Sequence, residues 1–194
     1  LNKLTVRNVA KQNAATVKYT LWCDHEGFVI DDGTLFRISD NDFRLCSQEK
    51  HLPWLIDTSY GFDVEIIDES KQICGLALQG PTSASILRLL GINEIDNLKP
   101  FHLFQTKISN MPIMISRTGF TGDLGYEIFM KNNVANKIIE RIWRAGTNHG
   151  LTAIGYNALN MARIEAGFLV ANIDFVSSDL SLIHISEPTR QDSI

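Results

Sequence analysis

The sequence predicts an α+β fold, in which antiparallel strands are joined by tight turns and helices pack on the sheets. Apolar and polar residues alternate over short segments such as 17–22, and apolar residues recur at helical spacing over 133–148. Clusters of glycine, aspartate and asparagine separate these segments, which is typical of turns. Strands that follow one another through short turns favour this class over a doubly wound parallel sheet, where strands alternate with helices.

The first third of the chain is predicted to be mainly strand. Strands are expected at 17–22, 34–38, 43–46 and 62–66, with one helix that Ser47 caps and that ends near Gly61. The last of these strands is predicted because Phe62, Val64 and Ile66 lie two residues apart with acidic residues between them.

The remainder is predicted to mix strands with longer helices. Strands are expected at 73–78, 101–108, 113–117 and 125–130, and helices at 81–91, 133–148 and 155–166. Pro81 suits the first turn of a helix because its missing N–H has no intrahelical partner there. The tryptophans Trp22, Trp54 and Trp143 are predicted to lie in the core.

Composition excludes several classes of function. Of the 194 residues, 44% are hydrophobic and 21% charged, which is ordinary for a globular chain that buries a core. A net charge of −4 argues against nucleic-acid binding, which needs a concentrated basic surface. No apolar run approaches the roughly 18 residues of a membrane span, so no membrane partner is expected. Three widely spaced cysteines predict reduced thiols, a cytoplasmic location and no metal site, and the five histidines are interpreted as ordinary.

The most informative segment is 116–128, which reads Ser-Arg-Thr-Gly-Phe-Thr-Gly-Asp-Leu-Gly-Tyr-Glu-Ile. Its three glycines allow the backbone to approach a ligand closely, and Glu127 follows at the start of the next strand. No helix follows the glycines directly, which argues against a dinucleotide-binding loop. The alternative is a glycine-rich hairpin that carries an exposed glutamate.

This segment resembles the signature of the aminomethyltransferase family, which comprises the T-protein of the glycine cleavage system and its tetrahydrofolate-binding relatives. Three other stretches follow the family order, at 19–32, 78–81 and 162–167. Family members are longer than this chain, so it is expected to be a fragment, incomplete at both ends, with a non-native tail from about residue 181. The resemblance implies two sub-domains of mainly antiparallel sheet with packed helices, at 1–70 and 71–168, followed by an exit segment and tail at 169–194.

The resemblance also implies roles for four side chains. Asp32 is the expected catalytic residue, near the reactive nitrogens of tetrahydrofolate, and Glu127 is expected to bind the exocyclic amine and ring N–H of the pterin. Adjacent strand residues point to opposite faces, so at most one of Asp31 and Asp32 reaches a shared pocket. The alternatives are a turn at Asp31-Asp32-Gly33 and a surface position for Glu127.

Tyr19 and Arg163 complete the expected cofactor-binding set. Tyr19 matches a tyrosine that lines the folate cavity in the family, although a tyrosine in an alternating strand is often core. Arg163 is expected to meet the anionic tail of the folate or to brace Asp32, and a simple salt bridge from helix to sheet is the alternative. Glu165 is interpreted as structural, and for Arg117, which lies within the signature, a structural role and a site role are equally open.

The function implied is that of a tetrahydrofolate-dependent one-carbon transferase resembling an aminomethyltransferase, with a lipoyl carrier or a small molecule as the donor. Phe28, Gly33 and the segment 46–48 depart from the family, in which an asparagine-rich stretch replaces Cys-Ser-Gln. That departure supports the alternative of a folate-dependent demethylase of a methylated sulfur, oxygen or amine compound. A non-catalytic folate-binding module is a third possibility, but the cysteine motif of such modules is missing from 116–128.

Overall fold

A computed structural model describes residues 1–178 and confirms the α+β prediction. Its seven strands are β1 (Thr16–Cys23), β2 (Val29–Arg37), β3 (Phe43–Ser47), β4 (Ile73–Gln79), β5 (Leu103–Ile108), β6 (Met111–Ser116) and β7 (Gly125–Lys131). Its four α-helices are α1 (Leu52–Thr58), α2 (Ser83–Leu89), α3 (Asn132–Gly146) and α4 (Tyr156–Glu165). No helix within this described part is both long and apolar enough to cross a membrane. The tail predicted to be non-native lies outside the described residues.

The first sheet contains three antiparallel strands in the order β1-β2-β3. Strand β2 begins at Val29, five residues earlier than expected, and therefore includes both aspartates. The turn proposed as an alternative for Asp31-Asp32-Gly33 is wrong, because these residues pair with β1: Asp31 lies opposite Trp22 and Asp32 opposite Leu21.

The second sheet contains four antiparallel strands in the order β4-β7-β6-β5. One face of this sheet packs against α2 and α3, because every second residue of β7, such as Ile128, is apolar and meets the apolar stripes of these helices. Ile128 of β7, Leu87 of α2 and Ile138 of α3 are fully buried in this main core. The helical side of the second sheet therefore contains most of the hydrophobic core.

The two sheets pack against each other through their other faces. A smaller core joins Val17 and Phe36 of the first sheet to Leu103 and Met114 of the second. The Phe36 ring meets the edge of the Phe129 ring, with 5.1 Å between centroids. This packing brings the Asp32-bearing face of one sheet toward the Glu127-bearing face of the other. The expected division into sub-domains at 1–70 and 71–168 stays a prediction.

Three local predictions are wrong. Residues 62–66 form no strand: Phe62 and Val64 are more than half exposed, and no strand of the described residues pairs with them. Ser47 does not cap α1, because it pairs with Gly33 at the end of β3, and the residue before the helix is His51. Trp143 is 47% exposed on the outer side of α3, so its aromatic ring does not contribute to the core.

Candidate functional site

Asp32 and Glu127 project from facing surfaces of the two sheets. Residues two apart on a strand share a face, so Asp32 lies on the same side of β2 as Phe36. Glu127 likewise lies on the same side of β7 as Phe129, and Phe36 and Phe129 are in contact. Asp31 points the opposite way. Of the two aspartates, Asp32 is therefore the one directed toward the second sheet.

Cys46 lies on the sheet face that carries Asp32 and close enough to Glu127 to feel its charge. It pairs with Thr34 of β2 and so shares the face that carries Asp32. Burial raises the pKa of the Cys46 thiol to about 11, and the negative charge of Glu127 on the facing sheet contributes to this increase. The thiol is therefore neutral near pH 7 and acts there as a small apolar side chain.

Tyr19 and Asp32 form a direct hydrogen bond. The Tyr19 hydroxyl donates to Asp32 Oδ2 at 2.7 Å. Burial raises the pKa of Asp32, the tyrosine hydrogen bond opposes that increase, and the charge of Asp31 adds to it. Tyr19 is 41% exposed, so it is not a core residue. The structure thus brings together two of the four predicted residues.

Asp31 is a buried brace behind the site, a role that sequence reasoning did not assign. Only 1% of its side chain is exposed. Its Oδ1 accepts the backbone N–H of Asp32 at 2.8 Å, and its Oδ2 lies 3.0 Å from Nε2 of His51 and 3.4 Å from the backbone N of Glu49. These contacts tie β2 to the segment before α1. His51 was interpreted as ordinary, and nothing in its spacing from other residues indicates this contact.

Glu127 is mostly buried and accepts a hydrogen bond from Thr118. Burial raises the pKa of Glu127, and the hydrogen bond from the Thr118 hydroxyl opposes this increase. The Thr118 hydroxyl also lies 2.6 Å from that of Ser116, which is fully buried. Both hydroxyl residues belong to the glycine-rich segment, yet sequence reasoning named only its glutamate. A carboxylate with one oxygen held in this way can still accept hydrogen bonds from a ligand.

Arg163 is not directed at either carboxylate. Its guanidinium is 2% exposed, donates to the Phe168 carbonyl at 3.0 Å and to Asn160 Oδ1 at 2.8 Å, and forms an ion pair with Asp174. The Phe168 ring in turn stacks on Phe120 of the glycine-rich segment, with centroids 5.4 Å apart. The ion pair therefore joins α4 to the segment that follows it and not to either sheet, and a role for Arg163 in binding the folate tail stays a prediction.

The other two signature-related residues have structural surroundings. Arg117 donates to the Leu98 carbonyl at 2.8 Å, and Glu165 is exposed near the end of α4. Within residues 1–178, no three histidine, cysteine or acidic side chains are grouped as a metal ion would require.

A groove of about 1230 Å³ opens beside the site. Cys46, Gly75 and Phe129 line it together with the segment 62–70. Its volume is sufficient for a drug-sized ligand. Asp32 and Glu127 do not line it, so it adjoins the space between their strands and does not contain the two carboxylates.

Comparison with known proteins relates this geometry to a family. The family model described as the GCVT N-terminal domain matches residues 1–182. The chain is 36% identical over 172 residues to an aminomethyltransferase of Caldanaerobacter subterraneus subsp. tengcongensis, a match that covers 86% of this chain and 46% of that protein. It is 33% identical over 180 residues to a trimethylamine-oxide aldolase of Ruegeria pomeroyi, covering 87% of this chain and 23% of that protein.

The fold is similar to that of a solved structure. The crystal structure of glycine cleavage system aminomethyltransferase T from Bartonella henselae matches with a TM-score of 0.79 at 23% identity, over 90% of this chain and 47% of that one. The chain thus spans about half the length of the aminomethyltransferases it matches.

Proposed function

The chain belongs to the family of the GCVT N-terminal domain, and from that membership we propose that it is part of a tetrahydrofolate-dependent one-carbon transferase resembling an aminomethyltransferase. The observation that carries the proposal is the placement of Asp32 and Glu127 on facing surfaces of the two sheets. The 36% identity to an aminomethyltransferase supports the same reaction class.

Glu127 is the proposed recognition residue for the pterin. A pterin presents an exocyclic amine beside a ring N–H, and a carboxylate can accept both hydrogens in a bidentate arrangement. The donor set fits, because Glu127 is a mostly buried carboxylate whose only hydrogen bond from residues 1–178 comes from Thr118. A ligand that donates two more hydrogen bonds would satisfy the remaining lone pairs.

Asp32 is the proposed catalytic residue, and Tyr19 is proposed to orient it. Tetrahydrofolate would supply the nitrogens that accept the one-carbon unit. A carboxylate whose pKa is raised by burial is suited to take and return a proton nearer to neutral pH than an exposed aspartate. The hydrogen bond from Tyr19 holds Oδ2, so the carboxylate keeps one orientation while Oδ1 faces the reacting group.

The donor of the one-carbon unit is proposed to be an aminomethyl group on a lipoyl carrier. A folate-dependent demethylase of a small methylated compound is the second candidate. Cys46 occupies the start of the segment that is asparagine-rich in aminomethyltransferases, and the chain is 33% identical to a trimethylamine-oxide aldolase. The three cysteines, all free in the structure, support a cytoplasmic location, which stays a prediction.

Calorimetric titration with tetrahydrofolate tests the binding half of the proposal. We expect wild-type protein to bind in the micromolar range, and Glu127→Gln to weaken binding at least about tenfold because a carboxylate acceptor pair is lost. Glu165→Gln, an exposed carboxylate change, is the matched control and should bind as wild type. Absence of wild-type binding at high micromolar tetrahydrofolate would reject the proposal.

The transfer half needs a turnover assay. Wild-type protein should transfer the one-carbon unit from an aminomethylated lipoyl carrier to tetrahydrofolate, and Asp32→Asn should lose at least about a hundredfold in rate. Asp42→Asn, in an exposed turn, is the control. Turnover of small methylated amines, with none on the carrier, would instead favour the demethylase.

A further inference from the structure

The glycines of the segment 116–128 leave room for a side chain from another motif. Gln79, the last residue of β4, lies opposite Gly125. A Cβ atom would stand 2.0 Å from the Gln79 amide oxygen at Gly125 and 1.9 Å from it at Gly119. Both distances are far below van der Waals contact. The Gln79 amide therefore occupies the space that the two glycines leave empty.

Gln79 ties together the two limbs of the glycine-rich loop. Its Nε2 donates to the Tyr126 carbonyl at 3.2 Å on one limb and to the Thr118 carbonyl at 3.4 Å on the other. Its amide oxygen accepts from the Thr121 hydroxyl at 3.4 Å, at the tip of the loop. An amide that bridges both limbs fixes where the backbone of Thr118 lies.

The hydrogen bonds that start at Ser116 have a defined direction. The Thr118 hydroxyl has a single proton, and it donates that proton to Glu127. In the 2.6 Å contact between the two hydroxyls, Ser116 must therefore be the donor. Ser116 is fully buried and Thr118 is 8% exposed, so water does not replace either bond readily.

We propose that Thr118, held in place by Gln79, is a positioning residue that fixes the Glu127 carboxylate for a ligand with two adjacent N–H donors. This inference rests on the proposed function and deepens it. The hydroxyl holds Oε2, and no residue of 1–178 donates to Oε1, which is left to accept from the ligand. The motif at 78–81 and the glycine-rich segment then act as one unit, with the glutamine of the first shaping the loop that orients the glutamate of the second.

A second effect of the hydroxyl is electrostatic. Burial raises the pKa of Glu127, and the Thr118 hydrogen bond counteracts this because it stabilises the ionised form. Without the hydroxyl, the carboxylate would keep its proton to higher pH. A protonated carboxyl accepts the ligand's two donors poorly, so binding would be lost at a higher pH than in the wild type.

The test compares Thr118→Val, Thr118→Ser and Gln79→Met for tetrahydrofolate binding between pH 5 and pH 8. We expect Thr118→Val to weaken binding about tenfold at pH 7 and to shift the acid limit of binding upward. Thr118→Ser should stay within about threefold of the wild type because it retains the hydroxyl. In a Glu127→Gln background, Thr118→Val should have no further effect. Thr106→Val, on β5 of the same sheet, is the control.

Carbon-detected NMR titration of Glu127 without ligand separates failure of this inference from failure of the proposed function. We expect the Glu127 pKa to be higher in Thr118→Val and in Gln79→Met than in the wild type. An unchanged Glu127 titration, or an equal loss of affinity at every pH, would show that Thr118 only supports the loop and would overturn the inference. If wild-type protein binds no tetrahydrofolate, the proposed function fails, and the titration still decides whether Thr118 acts on the carboxylate.

Discussion

Replacing Tyr19 by phenylalanine removes one hydroxyl from the Asp32 side of the site and leaves the ring in place. The hydroxyl donates to Asp32 Oδ2 at 2.7 Å, a short hydrogen bond to a carboxylate. Such bonds contribute about 1.5–3 kcal/mol when they are well buried. Tyr19 is 41% exposed, so solvent screening reduces the contribution of this hydrogen bond. We therefore expect Tyr19→Phe to lower the free energy of unfolding by about 1 kcal/mol near pH 7.

The loss should depend on pH in a defined direction. Burial raises the pKa of Asp32 above its ordinary value of 3.8, so the folded chain binds this proton more tightly than the unfolded chain does. The stability that Asp32 contributes is therefore fully present below 3.8 and falls as pH rises toward the folded pKa. Tyr19→Phe removes a group that stabilises the ionised form, so it raises the folded pKa further. The variant should differ most from the wild type above this window and least below pH 3.8.

Urea unfolding from pH 4 to pH 8, together with NMR titration of Asp32, measures both effects. Tyr60→Phe is the control, because Tyr60 is 92% exposed and should give wild-type stability. The reasoning is refuted if the Asp32 pKa in Tyr19→Phe is unchanged or lower than in the wild type. It is also refuted if the stability loss is the same at pH 4 as at pH 8.

Three further changes probe other parts of the site. Gly33→Ala should lower the free energy of unfolding, measured with urea, by about 3 kcal/mol, because its Cβ would stand 2.1 Å from the Cys46 carbonyl oxygen and the strands would have to separate. A decrease of less than about 1 kcal/mol would contradict this. Glu127→Gln should increase the free energy of unfolding by about 1 kcal/mol at pH 7, since burial raises the pKa of Glu127 and so disfavours its ionised form. The increase should vanish below the ordinary pKa of 4.5, and no increase at pH 7 would count against a buried carboxylate. Asp31→Ala should lower the unfolding free energy by about 3 kcal/mol, because the backbone N–H groups and His51 lose a buried acceptor; wild-type stability in this variant would exclude the brace.

The elements that could be predicted from the sequence are those with a long, regular apolar pattern. The helix expected at 133–148 is observed as Asn132–Gly146, and the strand expected at 125–130 as Gly125–Lys131. Both have one apolar face that meets the main core, so local periodicity and tertiary packing agree. The class of fold follows from such elements.

Strand β2 shows where local patterns are insufficient. Asp31, Asp32 and Gly33 together are typical of a turn, since isolated aspartates are costly to bury in a sheet. They lie in a strand because polar contacts with distant residues offset the loss of hydration: His51 lies beside Asp31, and Tyr19 donates to Asp32. These partners are 13 and 20 residues away, so a short window of sequence does not contain them and cannot predict the contacts.

The segment at 62–66 shows the opposite failure. Alternating apolar residues predict a strand only if a neighbouring strand supplies hydrogen bonds and a packed surface receives the apolar side chains. Within residues 1–178, neither condition holds there, and Phe62 and Val64 remain more than half exposed. The alternating pattern shows which side chains the segment could bury, but a strand forms only where another part of the fold covers those side chains.

The glycines of the segment 116–128 were interpreted as allowing the backbone to approach a ligand closely. The contacts of Gln79 change that interpretation. Of its three glycines, only Gly122 has a positive φ, of 78°, which supports a left-handed turn at the loop tip. At the other two glycines an added Cβ would stand 1.9 and 2.0 Å from the Gln79 amide oxygen, so a side chain of the same protein fills the space. A glycine pattern therefore shows where a Cβ does not fit, but not which group excludes it. Here the pairing of β4 with β7 identifies that group, because it places the end of one motif against the start of the next. It follows that alanine at either of these glycines would act on Glu127 indirectly, by displacing Gln79 and then Thr118, and its effect should be absent when Gln79 has already been shortened.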